Sequence, residues 1–230
     1  MLFYSICYYH GKNKLSNLNN HLKQFKNLEV DNKHFTMVVL IDDINEKSNV
    51  EEYFNNVISN HNIQHNVIVN YNWGGTILGL WLVYQCVKEK YNKENPYVCM
   101  FEEDYGPQDT RWYHKSLELL TNDIIYIGET TTGNIKQGNT DGRLVGRQHQ
   151  GGHMFGNETW TDGGYYFTTL DKLKTMEDKI GIFAKGNPNT KYTNQIDGIN
   201  YGEVGFPTQL YNSGLRFVPI HRTAYFINEW

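Results

Sequence analysis

The chain has only three cysteines in 230 residues, Cys7, Cys86 and Cys99, set far apart on apolar segments. An odd number without CxxC spacing excludes a disulfide framework and a cysteine-based metal site, and reads as buried thiols in a reducing compartment. No stretch approaches the roughly 18–20 continuous apolar residues of a membrane span. Basic residues are outnumbered by acidic ones, 21 against 25, for a net charge of −4. Without a basic excess, neither nucleic acid nor an anionic membrane surface is expected as a partner. Met1-Leu2-Phe3-Tyr4-Ser5-Ile6-Cys7 has no basic n-region and no small-residue cleavage site, so secretion is not expected and a cytoplasmic location is. The signatures GxxxxGK[ST], GxSxG, HExxH and GxGxxG are missing as well, as are internal repeats and low-complexity linkers.

What remains suffices for a core. Hydrophobic residues make up 39% of the chain, aromatics 14% and charged residues only 20%, a balance that predicts one globular domain over 1–230. The surplus of Asn, and of Lys over Arg, reads as the codon bias of an AT-rich genome; for a viral chain, the cytoplasm in question would be the host's.

Hydrophobic periodicity divides the chain into two halves, 1–130 and 131–230. In the first, apolar runs at 2–8, 35–41, 66–69 and 97–101 predict strands. Leu15, Leu18, Leu22, Phe25 and Leu28 recur at spacings of three and four, predicting a helix over 14–28. Further helices are expected at 50–58, capped by Ser48 or Asn49, and at 74–89, opened by Trp73-Gly74-Gly75. This alternation predicts an α/β, Rossmann-like domain with a mostly parallel sheet flanked by helices and ligands at the carboxyl ends of its strands. The second half is loop-rich. Residues 131–157 hold seven glycines and predict a long functional loop. A strand is expected at 165–169, a helix at 170–179, another loop at 181–201, a short helix at 205–211 and a last strand at 215–220.

The polar residues just after each strand are the candidates for chemistry. Strand 97–101 runs straight into Glu102-Glu103-Asp104. Continued extended geometry would aim Glu102 and Asp104 the same way, and two such carboxylates suit Mg²⁺ or Mn²⁺ while leaving positions open for a diphosphate. Arg143, Arg147 and His149 give the glycine-rich loop positive charge for closing over a leaving diphosphate. The His149–His153 spacing does not make a zinc site, because Gln150-Gly151-Gly152 breaks any helix between them. Asp162, beside Gly163-Gly164, could serve as a base next to a sugar, with Trp160 and Tyr165 expected on the acceptor side as aromatic faces for the sugar ring.

These segments together resemble the GT-A glycosyltransferases, most closely glycosyltransferase family 2. The matching pieces are the loop Tyr8-Tyr9-His10 after the first strand, the acidic pair Asp42-Asp43 after the second, Asn72-Trp73-Gly74-Gly75 opening an apolar helix, and Glu102-Glu103-Asp104 where the family carries Asp-x-Asp. The resemblance implies a GT-A fold with a nucleotide-sugar-binding half (1–130) and an acceptor half (131–230). It implies a Mn²⁺ or Mg²⁺ ion on Glu102 and Asp104, with His221 assisting. Tyr8, Tyr9, His10, Asp42, Asp43, Asn72, Gly74, Glu103 and Arg147 would bind the donor, a UDP-sugar by default. Glu203, eleven residues before Gly214, matches the family's catalytic base, with Asp162 as its rival, and a glycan or glycoprotein hydroxyl would be the acceptor. Two other classes fit the residues: a carbohydrate-binding protein that kept the fold without the chemistry, and a metal-dependent nucleotidyltransferase or phosphohydrolase.

Overall fold

The computed structural model describes residues 1–12, 14–72, 74–107, 111–130, 161–180, 210, 213–221 and 226–228. Its first half alternates as the periodicity predicts: β1 (Leu2–Tyr9), α1 (Leu15–Asn27), β2 (Lys33–Ile41), α2 (Lys47–Ser59), β3 (His65–Tyr71), α3 (Gly75–Tyr91) and β4 (Tyr97–Glu102). Then come β5 (Tyr105–Pro107), α4 (Trp112–Leu119), β6 (Ile124–Thr130), β7 (Thr161–Thr169), α5 (Leu170–Ile180), β8 (Arg216–His221) and β9 (Phe226–Asn228). Helix α2 begins before the expected Ser48 or Asn49 cap. A 3₁₀ turn at Ile44–Glu46 leads into it, and Asp43 caps that turn by accepting the Asn45 N–H at 2.9 Å. The loops expected at 131–157 and 181–201, and all of 205–211 but Leu210, lie outside the described residues.

Among the described residues the main sheet has the order β3-β2-β1-β4-β7-β6-β8, and β5 pairs with β9 in a second small sheet. The pairs β1–β2, β2–β3, β1–β4 and β6–β8 are parallel, and β7 alone runs against its neighbours. The architecture is therefore α/β with a mostly parallel sheet, compatible with a Rossmann-like fold. Successive side chains in a strand face opposite sides. In β1, Leu2, Tyr4, Ile6 and Tyr8 pack on the side of α1, α2 and α4, whereas Phe3 and Cys7 pack on the side of α3 and α5. This double burial is why β1 and β2 read as unbroken apolar runs.

Helix α3 lies very close to the sheet. A Cβ at Gly79 would sit 2.8 Å from Cys7 Sγ, so only glycine permits this approach. Cys7 and Cys99 are buried free thiols as expected, while Cys86 on α3 is half-buried. None of the described helices is long and apolar enough to cross a membrane.

Candidate functional site

The chain leaves β1 through α1 on one face toward β2, and returns from β3 through α3 on the other face to β4. The order thus reverses between β1 and β4, and their carboxyl ends flank the crevice where open α/β sheets bind ligands. Because β7 is antiparallel and β8 parallel to β6, the start of β7 and the end of β8 reach the same rim. Asp162 pairs with Glu129 there, and His221 with Thr130. The topology therefore brings Tyr9-His10, Asp42-Asp43, Asn72, Gly74, Glu102, Asp162 and His221 to one edge of the sheet. Glu203 and Arg147 lie outside the described residues, as does Trp160.

At the switch point three elements are tied together. The Tyr9 hydroxyl hydrogen-bonds Thr76 Oγ1 at 3.0 Å, and Thr76 Oγ1 donates to Glu102 Oε1. Thr76 stands in the first turn of α3, where unpaired backbone N–H groups and the helix dipole favour a carboxylate. The turn into α3 depends on two residues: Gly75 has φ +58°, and Asn72 Oδ1 accepts the Gly75 N–H at 3.2 Å. Gly74 lies between them, and a Cβ there would press to 3.1 Å from Leu78 Cβ.

The extended alternation stops at Glu102, because Glu103 and Asp104 form the turn into β5. Glu102 still faces α3 and Glu103 faces α1, where it is only 4% exposed, so the departure from alternation falls on Asp104. Asp104 joins Asn17, Asn20, His21, Gln24, Glu103 and Gly106 around a pocket of about 20 Å³, room for roughly one water. The expectation that Glu102 and Asp104 share one orientation through strand geometry is thus corrected by the turn. Asn17 Nδ2 donates to Glu103 Oε1 at 3.5 Å, and His21 Nε2 meets the Glu103 carbonyl at 3.0 Å. His21 Nδ1 is held by the Tyr4 hydroxyl at 2.7 Å. Asn17 and His21 carry no site signal by themselves. The available clue is that they stand four apart on the apolar stripe of α1, where polar side chains need partners.

The other donor-side candidates divide into structural and open ones. Tyr8 is buried among core aromatics, with its ring 5.1 Å from Phe54. His10 packs edge-on to Phe54 at 6.1 Å. Asp42 is exposed and lies 3.9 Å from the Lys12 amine, while Asp43 is engaged in capping. Tyr165, expected on the acceptor side, is fully buried: it stacks on Phe101 at 4.8 Å and bonds Ser116 Oγ at 2.9 Å. Its flat apolar ring serves the core.

Burial, reinforced by the Asp104 charge, pushes the Glu103 carboxyl up to about 7, and burial pushes His21 down to about 4. The two groups bias stability oppositely. Folded Glu103 holds its proton more tightly than the unfolded chain does, so its contribution is complete below about 4.5 and is lost as pH rises through about 7. Folded His21 resists protonation, so its contribution is complete above about 6.5 and is lost as pH falls through about 4. Each spans up to about 3 kcal/mol, and between pH 4.5 and 6.5 they nearly cancel. Glu103→Gln is expected to unmask His21, so that unfolding free energy rises by about 2–3 kcal/mol from pH 4.5 to 6.5 relative to the parent. Denaturant titrations across that range check this; parallel pH profiles for parent and variant would refute the assignment.

Among the described residues no three His, Cys, Asp or Glu side chains gather as a metal-binding group. Glu102 and Asp104 are oxygen donors of the hard type that Mg²⁺ or Mn²⁺ takes, but Glu102 faces α3 and Asp104 the α1 pocket, so they do not form a ready pair in this structure. Neither family models nor curated proteins yield a match to this chain.

Proposed function

We propose that the protein is a metal-dependent glycosyltransferase with a GT-A fold, transferring a sugar from a nucleotide-diphosphate sugar to a hydroxyl of a glycan or glycoprotein with inversion. The observation that carries this reading is the acidic run Glu102-Glu103-Asp104, which leaves β4 at the point where the sheet order reverses, beside the glycine-opened start of α3. A nucleotide diphosphate needs a hard-cation anchor and N–H donors, and this crevice offers carboxylates on one side and a helix N-terminus on the other. By the resemblance, Glu102 and Asp104, with His221 from the end of β8, would hold Mn²⁺ or Mg²⁺, and binding would have to bring Asp104 from the α1 side onto the ion shared with Glu102. When bound, the ion neutralises charge developing on the departing diphosphate.

The chain's own residues supply the rest. Asp42, exposed just past the end of β2, suits a ribose hydroxyl. A carboxylate, Glu203 by the resemblance or Asp162 at the start of β7, accepts the acceptor's hydroxyl proton as its oxygen bonds to the anomeric carbon. The bond from that carbon to the donor phosphate oxygen breaks in the same displacement, and the nucleoside diphosphate leaves with the electron pair. UDP is the default nucleotide by resemblance alone.

Thermal unfolding with UDP-, GDP- and dTDP-sugars, each with and without Mn²⁺, tests the reading. Stabilisation that requires both a sugar nucleotide and the ion is expected. Indifference to every combination would overturn it. Release of sugar 1-phosphate instead of nucleoside diphosphate would redirect it to phosphohydrolase or nucleotidyltransferase chemistry.

A further inference from the structure

Strand β3 ends the sheet, pairing among the described residues only with β2. Its inward hydrogen bonds are carried by even-numbered positions: the Phe35 N–H reaches the Gln64 carbonyl at 3.1 Å, and the Asn72 N–H reaches the Ile41 carbonyl at 2.8 Å. In a parallel ladder the alternate residues then point their backbone groups away. His65, Val67 and Val69 therefore direct N–H and C=O groups toward the outer edge, His65 and Val67 half-buried and Val69 only 3% exposed. Exposed edges are ordinarily guarded by charge or proline. At the other end of the sheet, β8 has Arg216 and Pro219, whereas His65–Tyr71 contains no Asp, Glu, Lys, Arg or Pro.

The strand is also a palindrome, Asn66-Val67-Ile68-Val69-Asn70, centred on Ile68. We infer that β3 pairs antiparallel with β3 of a second copy about a two-fold axis at Ile68, joining the two sheets into one. A two-fold interface must be complementary to itself. Here it sets Val67 against Val69 of the second copy, Asn66 against Asn70 and Ile68 against itself, with no like charges opposed. The outward-facing Val67 and Val69 form the hydrogen-bonded pairs, each exchanging two N–H···O=C bonds with its counterpart. The two Ile68 residues form a non-hydrogen-bonded pair with Cα atoms about 4.5 Å apart. Lys90, which donates to Asn66 Oδ1 at 2.8 Å, stands beside the edge. Asn66 of one copy lies four residues from Asn66 of the other, about 13 Å, so the two amines do not clash. This assembly is independent of the glycosyltransferase reading, and neither stands or falls with the other.

Cross-linking of the full chain tests it, in a Cys86→Ser background because Cys7 and Cys99 are buried. The 4.5 Å separation at the axis lies within disulfide range. Under mild oxidation Ile68→Cys is expected to give a covalent dimer. Asn66→Cys and Asn70→Cys are each expected to stay uncoupled alone but to couple when mixed. The unmodified chain should sediment as a concentration-dependent dimer. Val67→Pro, which removes only an outward N–H, should weaken that dimer at least about tenfold. A monomer throughout the micromolar range overturns the inference and leaves the edge open to another protein's strand. A dimer in which Ile68→Cys couples no faster than Asn66→Cys overturns it in favour of another surface.

Discussion

Asp104→Ala is expected to lower sugar-nucleotide turnover by about 100-fold or more and to abolish the Mn²⁺-dependent thermal shift, while leaving the metal-free fold at least as stable at neutral pH. The first effect follows from the proposed role. An electrostatic group aimed at charge that develops in the transition state is worth about 3–4 kcal/mol when removed. The second effect follows from the structure. Asp104 sits in the turn beside Glu103, and its charge is one of the causes that push the Glu103 carboxyl up. Removing it lets Glu103 ionise more readily, which relieves a cost of folding at pH 7. The paired readout separates chemistry from structure, because unfolding would depress both quantities together. Glu102→Gln provides the comparison: its amide oxygen can still accept from Thr76 Oγ1, so the tie to α3 survives while the charge is lost. If Asp104→Ala turns over at the parental rate with an undiminished Mn²⁺ shift, the metal assignment is wrong.

Much of the N-terminal half was legible because its signals are local. The buried strands β1, β2 and β4 are continuous apolar runs, and the stripe of Leu18, Leu22 and Phe25 marks the face α1 buries. The acidic run, the Asn72 turn and the helix-opening glycines could be read for the same reason: each is a short segment whose chemistry is fixed by its neighbours. Elements that depend on distant partners carry no such mark. β5 is three residues, Tyr-Gly-Pro, and exists only through pairing with Phe226–Asn228 more than a hundred positions away. The reversed direction of β7 is likewise a property of the assembled sheet. Within the site, the direction of Asp104 depended on whether extended geometry continued past Glu102. The residues that grip the turn through Glu103, Asn17 and His21, lie on α1 over 80 residues earlier. Tyr165 misled for a related reason: an aromatic beside glycines reads as a sugar platform until the strand's neighbours, Phe101 and Ser116, are known.

Phe101→Ala is expected to destabilise the fold by about 3–5 kcal/mol, the range for deleting a large buried aromatic. Phe101 is fully buried and central to the aromatic cluster on the α1 and α4 side of the sheet. Its ring lies 5.1 Å from Tyr4, 5.4 Å from Trp112, 4.8 Å from Tyr165 and 5.6 Å from His21. Edge-on and offset contacts of this kind add to the area term, and the site cannot collapse readily because its neighbours are fixed from three directions. Tyr4 is bonded to His21, Tyr165 to Ser116, and Trp112 is held in α4. The position also matters for function, since Phe101 is the last core residue before the Glu102–Asp104 turn. Loosening it should blur the turn before the protein unfolds globally, so metal-dependent stabilisation should fall in Phe101→Ala even at temperatures where the chain remains folded. Phe101→Leu keeps most of the volume and is expected to cost less than about 1.5 kcal/mol with the metal response largely retained. Denaturant titrations with equal m-values measure the first effect, and Mn²⁺ thermal shifts on both variants measure the second. A cost below about 1.5 kcal/mol for Phe101→Ala would mean that this cluster rearranges freely, and that the turn carrying the acidic residues is supported from elsewhere.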